Sequence, residues 1–242
     1  MSIPATQRAV VVEEIGGPEV LQFKSDWAVP QPTEGQVLVK NEISGISYTD
    51  TYFRTGLYPS PKPEVLGREA AGTVVALGPK TEEFNLKVGD RVIWLANAGY
   101  AEYSAVPAAK TLKLPDTVSY EDATASFMSG LTVLALARET YTVQPGDWVL
   151  LHAAAGGAGF LMTQLLKHVG AKVIGTAGGP EKVELVKSLG ADHVIDYRSE
   201  EGKDGVKTVM DIPGGRGVDV SMTLLERTHG RAVWPLSRGK GP

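Results

Sequence analysis

The stretch Leu150-Leu151-His152-Ala153-Ala154-Ala155-Gly156-Gly157-Ala158-Gly159-Phe160 decides how the second half of this chain folds. Its first residues continue an apolar run that begins at Trp148, and such a run is typical of a buried parallel strand. A helix is predicted over 159–169, directly after a cluster of small residues. Glycine permits a tight turn there and lets backbone N–H groups approach a pyrophosphate at the helix N-terminus. The pattern predicts a dinucleotide-binding turn, formed by Ala155, Gly156, Gly157, Ala158 and Gly159.

Predicted strands and helices alternate after this turn. The residues favour a strand over 172–176, a helix over 180–189, a strand over 193–195 and a helix near 206–210. Repeating βα units imply a parallel sheet with helices on its faces. The alternative is a glycine-rich turn in some other α/β protein, and this strand–turn–helix context argues against it.

The end of the next strand selects between the two nicotinamide cofactors. An acid about 20 residues beyond the glycines would bind the ribose hydroxyls of NAD. The sequence Gly175-Thr176-Ala177-Gly178-Gly179 has no acid and leaves space for a 2′-phosphate around Gly178. Lys182 could neutralise that phosphate, although an ordinary solvated helix lysine explains it equally well. NADPH is therefore expected as the cofactor rather than NADH.

The first half of the chain is rich in short predicted strands punctuated by Gly and Pro. This pattern suggests a closed or partly closed β-barrel, with strands over 8–13, 37–43, 70–78, 90–95 and 101–106. Ser119 lies three residues before Asp122 and resembles a helix N-cap, from which a long helix is expected to run to about residue 138. The predicted fold is α/β, with a β-barrel domain over 1–120 and a nucleotide-binding domain over 121–220.

Composition excludes several classes of function. The 28 acidic and 24 basic side chains give a net charge of −4, which offers no electrostatic footprint for nucleic acid. The chain has no cysteine, so disulfide scaffolds, thiol catalysis and cysteine-ligated zinc are excluded. No secretory signal is recognisable at the start, and the apolar runs are too short or too often broken by Gly to span a bilayer. A soluble, cytoplasmic protein with no membrane partner is expected.

Several further motifs occur in one order along the chain. They are Gly16-Gly17-Pro18-Glu19-Val20-Leu21, Asp50-Thr51-Tyr52-Phe53-Arg54-Thr55-Gly56-Leu57-Tyr58-Pro59, Gly67-Arg68-Glu69-Ala70-Ala71-Gly72, Gly89-Asp90-Arg91-Val92 and Gly130-Leu131-Thr132-Val133. With the glycine turn, they resemble the zeta-crystallin-like quinone oxidoreductases, the zinc-free members of the medium-chain dehydrogenase/reductase superfamily. The resemblance runs from about residue 8 to Val220. It implies a GroES-like β-barrel domain beside a Rossmann domain, with the nicotinamide in the cleft between them.

The resemblance also implies which side chains serve the site. On the substrate side these are Tyr52, Tyr58, Ser47 and Thr132, and near the adenosine phosphate they are Lys182 and Tyr197. Ser47 stands where the family usually has asparagine, so the amide contact of that position is not expected here. Tyr58 would either donate a hydrogen bond to a quinone oxygen or stack on the ring, and barrel packing explains Tyr52 equally well. Asp50 and Arg54 are expected to form a structural ion pair.

A metal mechanism is not expected. In zinc-dependent relatives the position of Arg68 carries a histidine that ligates the metal, and the four histidines of this chain show no ligand-like spacing. The implied activity is the transfer of reducing equivalents from NADPH to a small quinone without zinc. Two alternatives stay open: a zinc-free reductase of enones or enoyl thioesters, and a catalytically impaired protein that binds NADPH or RNA.

The last 22 residues depart from the family pattern. In a shifted reading frame, the codons of Met222-Thr223 and Trp234-Pro235 force an Asp and an Ala that the family continuation requires. We therefore expect residues 221–242 to be an aberrant, frameshifted tail and the Rossmann domain to be incomplete, with its fourth strand damaged. The family homodimer is expected to lose its contacts in such a chain.

Overall fold

The short strands predicted for the first half form two antiparallel sheets. The computed structural model describes residues 3–200, 202 and 205–223, with nothing described of the side chain of residue 206. Its contacts divide the chain into two units, which meet along the sequence between Met128 and Ser129. The strands of the first unit are β1 (Thr6–Val12), β2 (Leu21–Ala28), β3 (Gln36–Ser44), β4 (Glu64–Val65), β5 (Glu69–Leu77), β6 (Arg91–Leu95), β7 (Tyr103–Pro107) and β8 (Thr111–Lys113).

The two sheets of the first unit have the orders β2-β1-β4 and β7-β3-β5-β6-β8. Every pairing within them is antiparallel, and an isolated bridge between Ala9 and Ala101 joins β1 to the segment just before β7. The alternating residues of β3 and β5 supply a core that also contains Trp94, and its members are fully or nearly fully buried. This arrangement agrees with the expected GroES-like β-barrel fold.

Two helices accompany these strands. The helix α1 (Thr49–Thr55) follows β3, and Gly56 ends it in the left-handed conformation, with φ +78°. The helix α2 (Tyr120–Leu134) begins one residue after Ser119 and continues as a π-helical segment over Ala135–Thr140. The Asp122 N–H donates to Ser119 Oγ at 3.0 Å, which confirms the predicted N-cap.

The second unit is built from the βα repeats that its sequence pattern predicts. Its elements are β9 (Trp148–Leu151), α3 (Gly157–Val169), β10 (Lys172–Ala177), α4 (Pro180–Ser188), β11 (His193–Asp196), α5 (Gly205–Asp211) and β12 (Val220–Met222). The strand order is β11-β10-β9-β12, and each neighbouring pair is parallel. This is the 3-2-1-4 order of a Rossmann sheet, so the predicted α/β fold is confirmed.

Both faces of this parallel sheet are covered. Val149 and Leu151 point into one core with residues of α2, α3 and α4, whereas Leu150 points into a second core with Val209 of α5 and Val218. Burial on both faces explains why β9 is a continuous apolar run rather than an alternating one. The carboxyl ends of the strands lie at one edge, where the glycine turn leaves β9.

The fourth strand includes the first two residues of the predicted aberrant tail. Ser221 pairs with Leu150 and Met222 pairs with Leu151, and the His152 N–H donates to the Met222 carbonyl oxygen at 3.0 Å. Thr223 is the last described residue of that tail, and residues 224–242 lie outside the described residues. In the part of the chain that the structure describes, no helix has both the length and the apolar character needed to cross a bilayer.

Candidate functional site

The turn between β9 and α3 is shaped by backbone hydrogen bonds. The Ala154 N–H donates to the Thr176 carbonyl oxygen at 3.0 Å, which fixes the turn to the end of β10. The Gly156 N–H donates to the Ala153 carbonyl oxygen at 2.9 Å, and Ala153 is held at φ +52° in the left-handed region. Gly156 is extended, at φ −77° and ψ 165°, and forms the N-cap of α3.

The helix therefore begins at Gly157, two residues earlier than the sequence pattern predicts. The pattern placed the start at Gly159 because the run of small residues carries no cap side chain to mark it. The first turn of α3 has N–H groups that lack an intrahelical acceptor, and these point toward the edge where the strands end. Negative charge is favoured there by the helix dipole.

The three glycines of the turn have different surroundings. A Cβ on Gly159 would lie 2.3 Å from the Ala153 carbonyl oxygen and 2.8 Å from Ala154 Cα, so only glycine fits between helix and turn. A Cβ on Gly157 would meet nothing nearer than Ser129 Oγ at 3.9 Å, and both Gly156 and Gly157 are exposed. Ala155 and Ala158 are half-buried beside them. The turn thus offers an open backbone surface over a tightly packed base, which suits a pyrophosphate.

The end of β10 brings together two of the residues predicted to bind the adenosine phosphate. A Cβ on Gly178 would lie 2.5 Å from the Tyr197 hydroxyl oxygen, so the phenol ring lies directly against this buried glycine. Gly179 adopts φ +95° and precedes α4, which Pro180 begins. Lys182 lies on the first turn of α4 and is exposed, and Tyr197 is also exposed, at 53%.

A carboxylate from the neighbouring strand holds this turn. The Gly179 N–H donates to Asp196 Oδ1 at 3.0 Å, and the Arg198 N–H donates to the same oxygen at 2.9 Å. These two donors, together with the Arg198 charge, lower the pKa of Asp196 below its ordinary value. Asp196 was not predicted from the sequence, because a single acid at the end of the third strand does not stand out from other surface acids.

In the first unit, α1 carries a cluster of aromatic rings. The Tyr52 ring centroid lies 5.6 Å from that of Tyr48 and 5.4 Å from that of Tyr58, and Tyr58 also lies 5.4 Å from Phe53 in an edge-to-face contact. Tyr58 is 38% exposed and Tyr48 is 67% exposed. Two of the predicted substrate residues, Tyr52 and Tyr58, are therefore direct neighbours that share one aromatic surface.

Ser47 lies at the start of the same helix. Its N–H donates to Asp50 Oδ2 at 3.1 Å, and its Oγ accepts from the Thr49 N–H at 3.3 Å. These contacts give Ser47 a role in the first turn of α1. Thr132 is an exposed residue of α2 and belongs to the second unit. The other three predicted substrate residues belong to the first unit.

Buried charges lie behind α1, in a group that we call the Arg68 cluster (Asp50, Glu64, Arg68 and Tyr100). Arg68 Nη2 lies 2.7 Å from Glu64 Oε1, Arg68 Nε lies 4.0 Å from Asp50 Oδ1, and the guanidinium lies 3.4 Å above the centroid of the Phe53 ring. The Tyr100 hydroxyl donates to Asp50 Oδ2 at 2.6 Å, and burial together with this carboxylate raises the pKa of Tyr100. Arg68 thus lies between the carboxylates of Glu64 and Asp50, with its guanidinium over the Phe53 ring.

The predicted ion pair between Asp50 and Arg54 is wrong. Asp50 is buried and its carboxylate contacts Arg68 and Tyr100, whereas Arg54 lies one helical turn further along α1. Backbone N–H groups and, to a smaller extent, the Arg54 charge lower the pKa of Glu19. The expected structural ion pair does not form because Asp50 lies on the inward face of α1, where it is buried.

Glu69 is a second buried acid of the first unit. Its Oε2 accepts from the Met128 N–H at 3.0 Å, and burial, with a contribution from the Asp50 charge, raises its pKa. Among the described residues, no group of three or more His, Asp or Glu side chains is arranged to hold a metal ion. Arg68, which stands where zinc-dependent relatives carry a histidine ligand, forms ion pairs with Glu64 and Asp50.

Comparison with known proteins identifies the family. The GroES-like domain of alcohol dehydrogenases matches residues 33–116, and the domain family described as zinc-binding dehydrogenase matches residues 157–228. A quinone oxidoreductase of Salmonella typhimurium is 44% identical over 225 residues, which are 92% of this chain and 66% of that protein. Human quinone oxidoreductase is 35% identical, over 92% of this chain and 67% of its own length. The chain belongs to the quinone oxidoreductase family.

Solved structures agree with this assignment. A quinone oxidoreductase of Pseudomonas syringae superposes with a TM-score of 0.84 at 42% identity, covering 89% of this chain and 66% of that one. The Escherichia coli quinone oxidoreductase, solved in complex with NADPH, has a TM-score of 0.84 at 40% identity and covers 88% and 65%. The chain thus spans about two thirds of the length of the curated relatives it matches.

Proposed function

We propose that this member of the quinone oxidoreductase family is an NADPH-dependent quinone reductase that requires no zinc. The end of β10 carries this proposal, because Gly178, the Tyr197 ring and the first turn of α4 surround the place where NAD-binding proteins have an acid. Lys182 supplies a positive charge on that turn. The Escherichia coli relative solved with NADPH supports the same cofactor.

The residues of the glycine turn would hold the pyrophosphate. The exposed backbone of Gly156 and Gly157 leaves room for the phosphates, and the N-terminus of α3 provides donors and a favourable dipole. Lys182 and the Tyr197 hydroxyl would bind the 2′-phosphate, and the Lys182 ammonium would neutralise part of its negative charge. We expect the pyrophosphate contacts to be common to both cofactors and the 2′-phosphate contacts to set the preference.

The proposed reaction is NADPH + H⁺ + quinone → NADP⁺ + hydroquinone. When bound, the nicotinamide supplies the hydride, so the protein has to orient the quinone and stabilise the oxyanion until it takes up one proton. The aromatic surface of Tyr52 and Tyr58 would hold the quinone ring, and the Tyr58 hydroxyl would donate a hydrogen bond to a quinone oxygen as negative charge develops there. The proton itself is taken up from solvent.

Cofactor binding is the first test. Purified chain is titrated with NADPH and with NADH while nicotinamide fluorescence is followed, and saturable binding with at least tenfold preference for NADPH is expected, or about 1.4 kcal/mol. Consumption of NADPH is then measured with an ortho-quinone as acceptor. A chain that binds neither nucleotide would contradict the proposal and favour another binding function. RNA binding is one such alternative, and an RNA mobility-shift assay would test it.

Tyr58→Phe tests the role of the tyrosine hydroxyl. The substitution keeps the ring contacts with Tyr52 and Phe53, so the fold and NADPH binding are expected to stay unchanged. We expect kcat for the quinone to fall about tenfold, since one donor to a developing oxyanion is lost. Tyr52→Phe is the matched variant on the same surface, and an equal fall in both variants would show that neither hydroxyl acts specifically.

A second candidate activity is the reduction of activated carbon–carbon double bonds. A 2-haloacrylate reductase from a Burkholderia species is 37% identical over 88% of this chain and 64% of its own length. An enone also needs a hydride, a proton and a donor to its oxygen, so the same side chains would serve. Turnover of an ortho-quinone and of an alkenal under identical conditions separates the two activities.

We propose a cytoplasmic enzyme that acts on a small quinone, with a substrate domain over 1–120 and a Rossmann domain over 121–220. Loss of the family homodimer in this chain stays a prediction, which sedimentation of the purified chain would test. Residues 221–242 stay proposed as an aberrant tail, which sequencing of the locus would test.

A further inference from the structure

Asp196 joins the two turns that carry Lys182 and Tyr197, the residues predicted to bind the 2′-phosphate. Its Oδ1 accepts from the N–H of Gly179, which lies in the turn between β10 and α4, and from the N–H of Arg198, which lies in the turn that follows β11. On one side of this carboxylate stands the first turn of α4, with Lys182. On the other side stands Tyr197, whose ring lies against Gly178.

The turn that follows β11 closes over the backbone of Asp196. The Ser199 N–H donates to the Asp196 carbonyl oxygen at 3.1 Å, the Ser199 hydroxyl donates to the same oxygen at 2.9 Å, and the Gly202 N–H donates to Ser199 Oγ at 3.0 Å. A Cβ on Gly202 would lie 1.8 Å from that carbonyl oxygen, so this turn needs glycine there. The main chain of Asp196 is therefore fixed, and its side chain is aimed from a rigid base.

Gly179 depends on this carboxylate more than an ordinary turn residue does. It is held at φ +95°, and its missing side chain leaves the backbone free to adopt many other conformations. Asp196 Oδ1 is the side-chain acceptor for its N–H. Because α4 begins at the next residue, the orientation of Gly179 sets where Lys182 stands relative to Tyr197.

We propose that Asp196 is a positioning residue for NADPH preference, because it fixes Lys182 and Tyr197 around a 2′-phosphate without contacting it. This inference rests on the proposed function and adds a specificity-determining residue to it. In NAD-binding relatives of this fold an acid at the end of the second strand contacts the ribose directly. Here the acid stands at the end of the third strand, and its oxygen is bound to backbone N–H groups instead.

Asp192 provides a matched control at the opposite end of β11. Its Oδ2 accepts from the Val173 N–H at 2.7 Å and from Lys167 Nζ at 2.7 Å. It therefore also ties β11 to β10 through a backbone N–H, but at the amino ends of the strands, away from the glycine turn. A structural role alone would make substitutions of the two acids equivalent with respect to the cofactor.

The test measures Kd for NADPH and for NADH by fluorescence with Asp196→Ala, Asp196→Asn and Asp192→Ala. Asp196→Ala is expected to weaken NADPH binding about tenfold and NADH binding less than about twofold, because only the 2′-phosphate contacts move. Asp196→Asn keeps an oxygen that accepts from both N–H groups, so it is expected to stay within about threefold of the wild type. Asp192→Ala is expected to lower the melting temperature and to leave the ratio of the two Kd values unchanged.

Hydrogen exchange of the Gly179 amide gives a readout that needs no cofactor. Asp196→Ala is expected to speed this exchange, and Asp196→Asn is expected to restore protection. If Asp196→Ala fails to fold, Asp196→Ser, whose hydroxyl is too short to reach Gly179, replaces it in both measurements.

Two results would overturn the inference: an unchanged ratio of Kd values in Asp196→Ala, or an Asp196→Asn variant as impaired as Asp196→Ala. The wild-type protein distinguishes this failure from failure of the proposed function. A wild type that prefers NADPH while Asp196→Ala keeps that preference refutes the positioning role alone. A wild type that binds neither nucleotide refutes both.

Discussion

The glycine turn of the second unit and the Arg68 cluster of the first unit achieve rigidity in different ways. In the turn, backbone hydrogen bonds join Ala153 to Gly156 and Ala154 to Thr176, and the contact that excludes larger residues is that of Gly159 with main-chain atoms. In the Arg68 cluster, charged side chains from separate segments of the chain meet in a buried place. One region is organised by the main chain and the other by side-chain charge.

This difference predicts which substitutions destabilise each region. A backbone-organised turn tolerates exchange of its exposed residues but rejects any added atom at its packed glycine. A buried charge cluster is sensitive to the loss of any one partner, because the charge that stays behind is left desolvated and unpaired. Substitutions can therefore separate a steric mechanism in the turn from an electrostatic one in the cluster.

The largest effect is expected for Arg68→Met. This change removes the positive charge that pairs with Glu64 and Asp50 while keeping an apolar stem near Phe53. Asp50 then loses its cationic partner and is left with the neutral Tyr100 hydroxyl and Ser47 N–H as donors, whereas Glu64 keeps Lys62 at 2.9 Å. We expect the free energy of unfolding to fall by about 3 kcal/mol, measured by urea denaturation.

Arg8→Met is the control for this prediction. Arg8 also pairs with a glutamate, Glu102 at 2.6 Å, but its side chain is 66% exposed, so water replaces the lost contact and stability should scarcely change. Equal effects of the two substitutions would show that burial of the Arg68 cluster does not determine its contribution.

The next effect is expected for Gly159→Ala. Its new Cβ would lie 2.3 Å from the Ala153 carbonyl oxygen, so helix and turn must separate, at a cost of about 1–3 kcal/mol. NADPH binding should be lost with the turn geometry. Gly157→Ala is the matched variant, since its Cβ has open space; it should change stability by less than about 0.5 kcal/mol and weaken only NADPH binding. Thermal unfolding and fluorescence titration separate the two outcomes.

The same contrast explains what could be predicted from the sequence. The Rossmann strands and the turn were predictable because they depend on local signals: a continuous apolar run, a cluster of small residues and the βα alternation. The start of α3 at Gly157 was missed by two residues, because Gly156 caps the helix without a cap side chain. Local patterns also predicted the Ser119 cap, where one hydroxyl and one backbone N–H suffice.

The Arg68 cluster was not predictable in the same way. Its members lie in α1, β4, the segment before β5 and the loop before β7, and nothing in their spacing shows that they meet. The one prediction made here, a structural ion pair between Asp50 and Arg54, was wrong because Asp50 is buried beside two other partners, Arg68 and Tyr100. Asp196 was missed for a related reason, since its acceptor role depends on parallel pairing between β10 and β11.

A smaller and opposite effect is expected for Ala153→Gly. Ala153 has φ +52°, a conformation that costs an alanine energy and a glycine almost none. We expect the free energy of unfolding to rise by about 0.5–1 kcal/mol, after the entropy cost of glycine is deducted. Ala155→Gly in the same turn has no such strain to relieve and should lower stability. A decrease for both variants in thermal unfolding would contradict the role assigned to the backbone of the turn.

The smallest effect is expected for Glu69→Gln, which changes how stability depends on pH. It tests a buried charge of the first unit, whereas the glycine turn contains no charged side chain. Burial raises the pKa of Glu69, so the folded state is favoured while the carboxyl is protonated, and this contribution is lost as pH rises from 4.5 through the raised pKa. Glutamine is neutral and still accepts from the Met128 N–H, so Glu69→Gln should be more stable than the wild type at pH 8, with a difference that vanishes in acid.

Glu64→Gln should show the opposite sign in the same denaturation series. Burial by itself would raise the pKa of Glu64, but hydrogen bonds from Ser60 and Lys62 and the Arg68 charge outweigh it and lower the pKa. Its charged form therefore stabilises the fold above 4.5, and this stability is lost as pH falls through the lowered pKa. Glu64→Gln should be less stable than the wild type at pH 8. Two buried acids in one unit would then respond to pH in opposite directions, because Glu64 has cationic partners and Glu69 accepts from a backbone N–H.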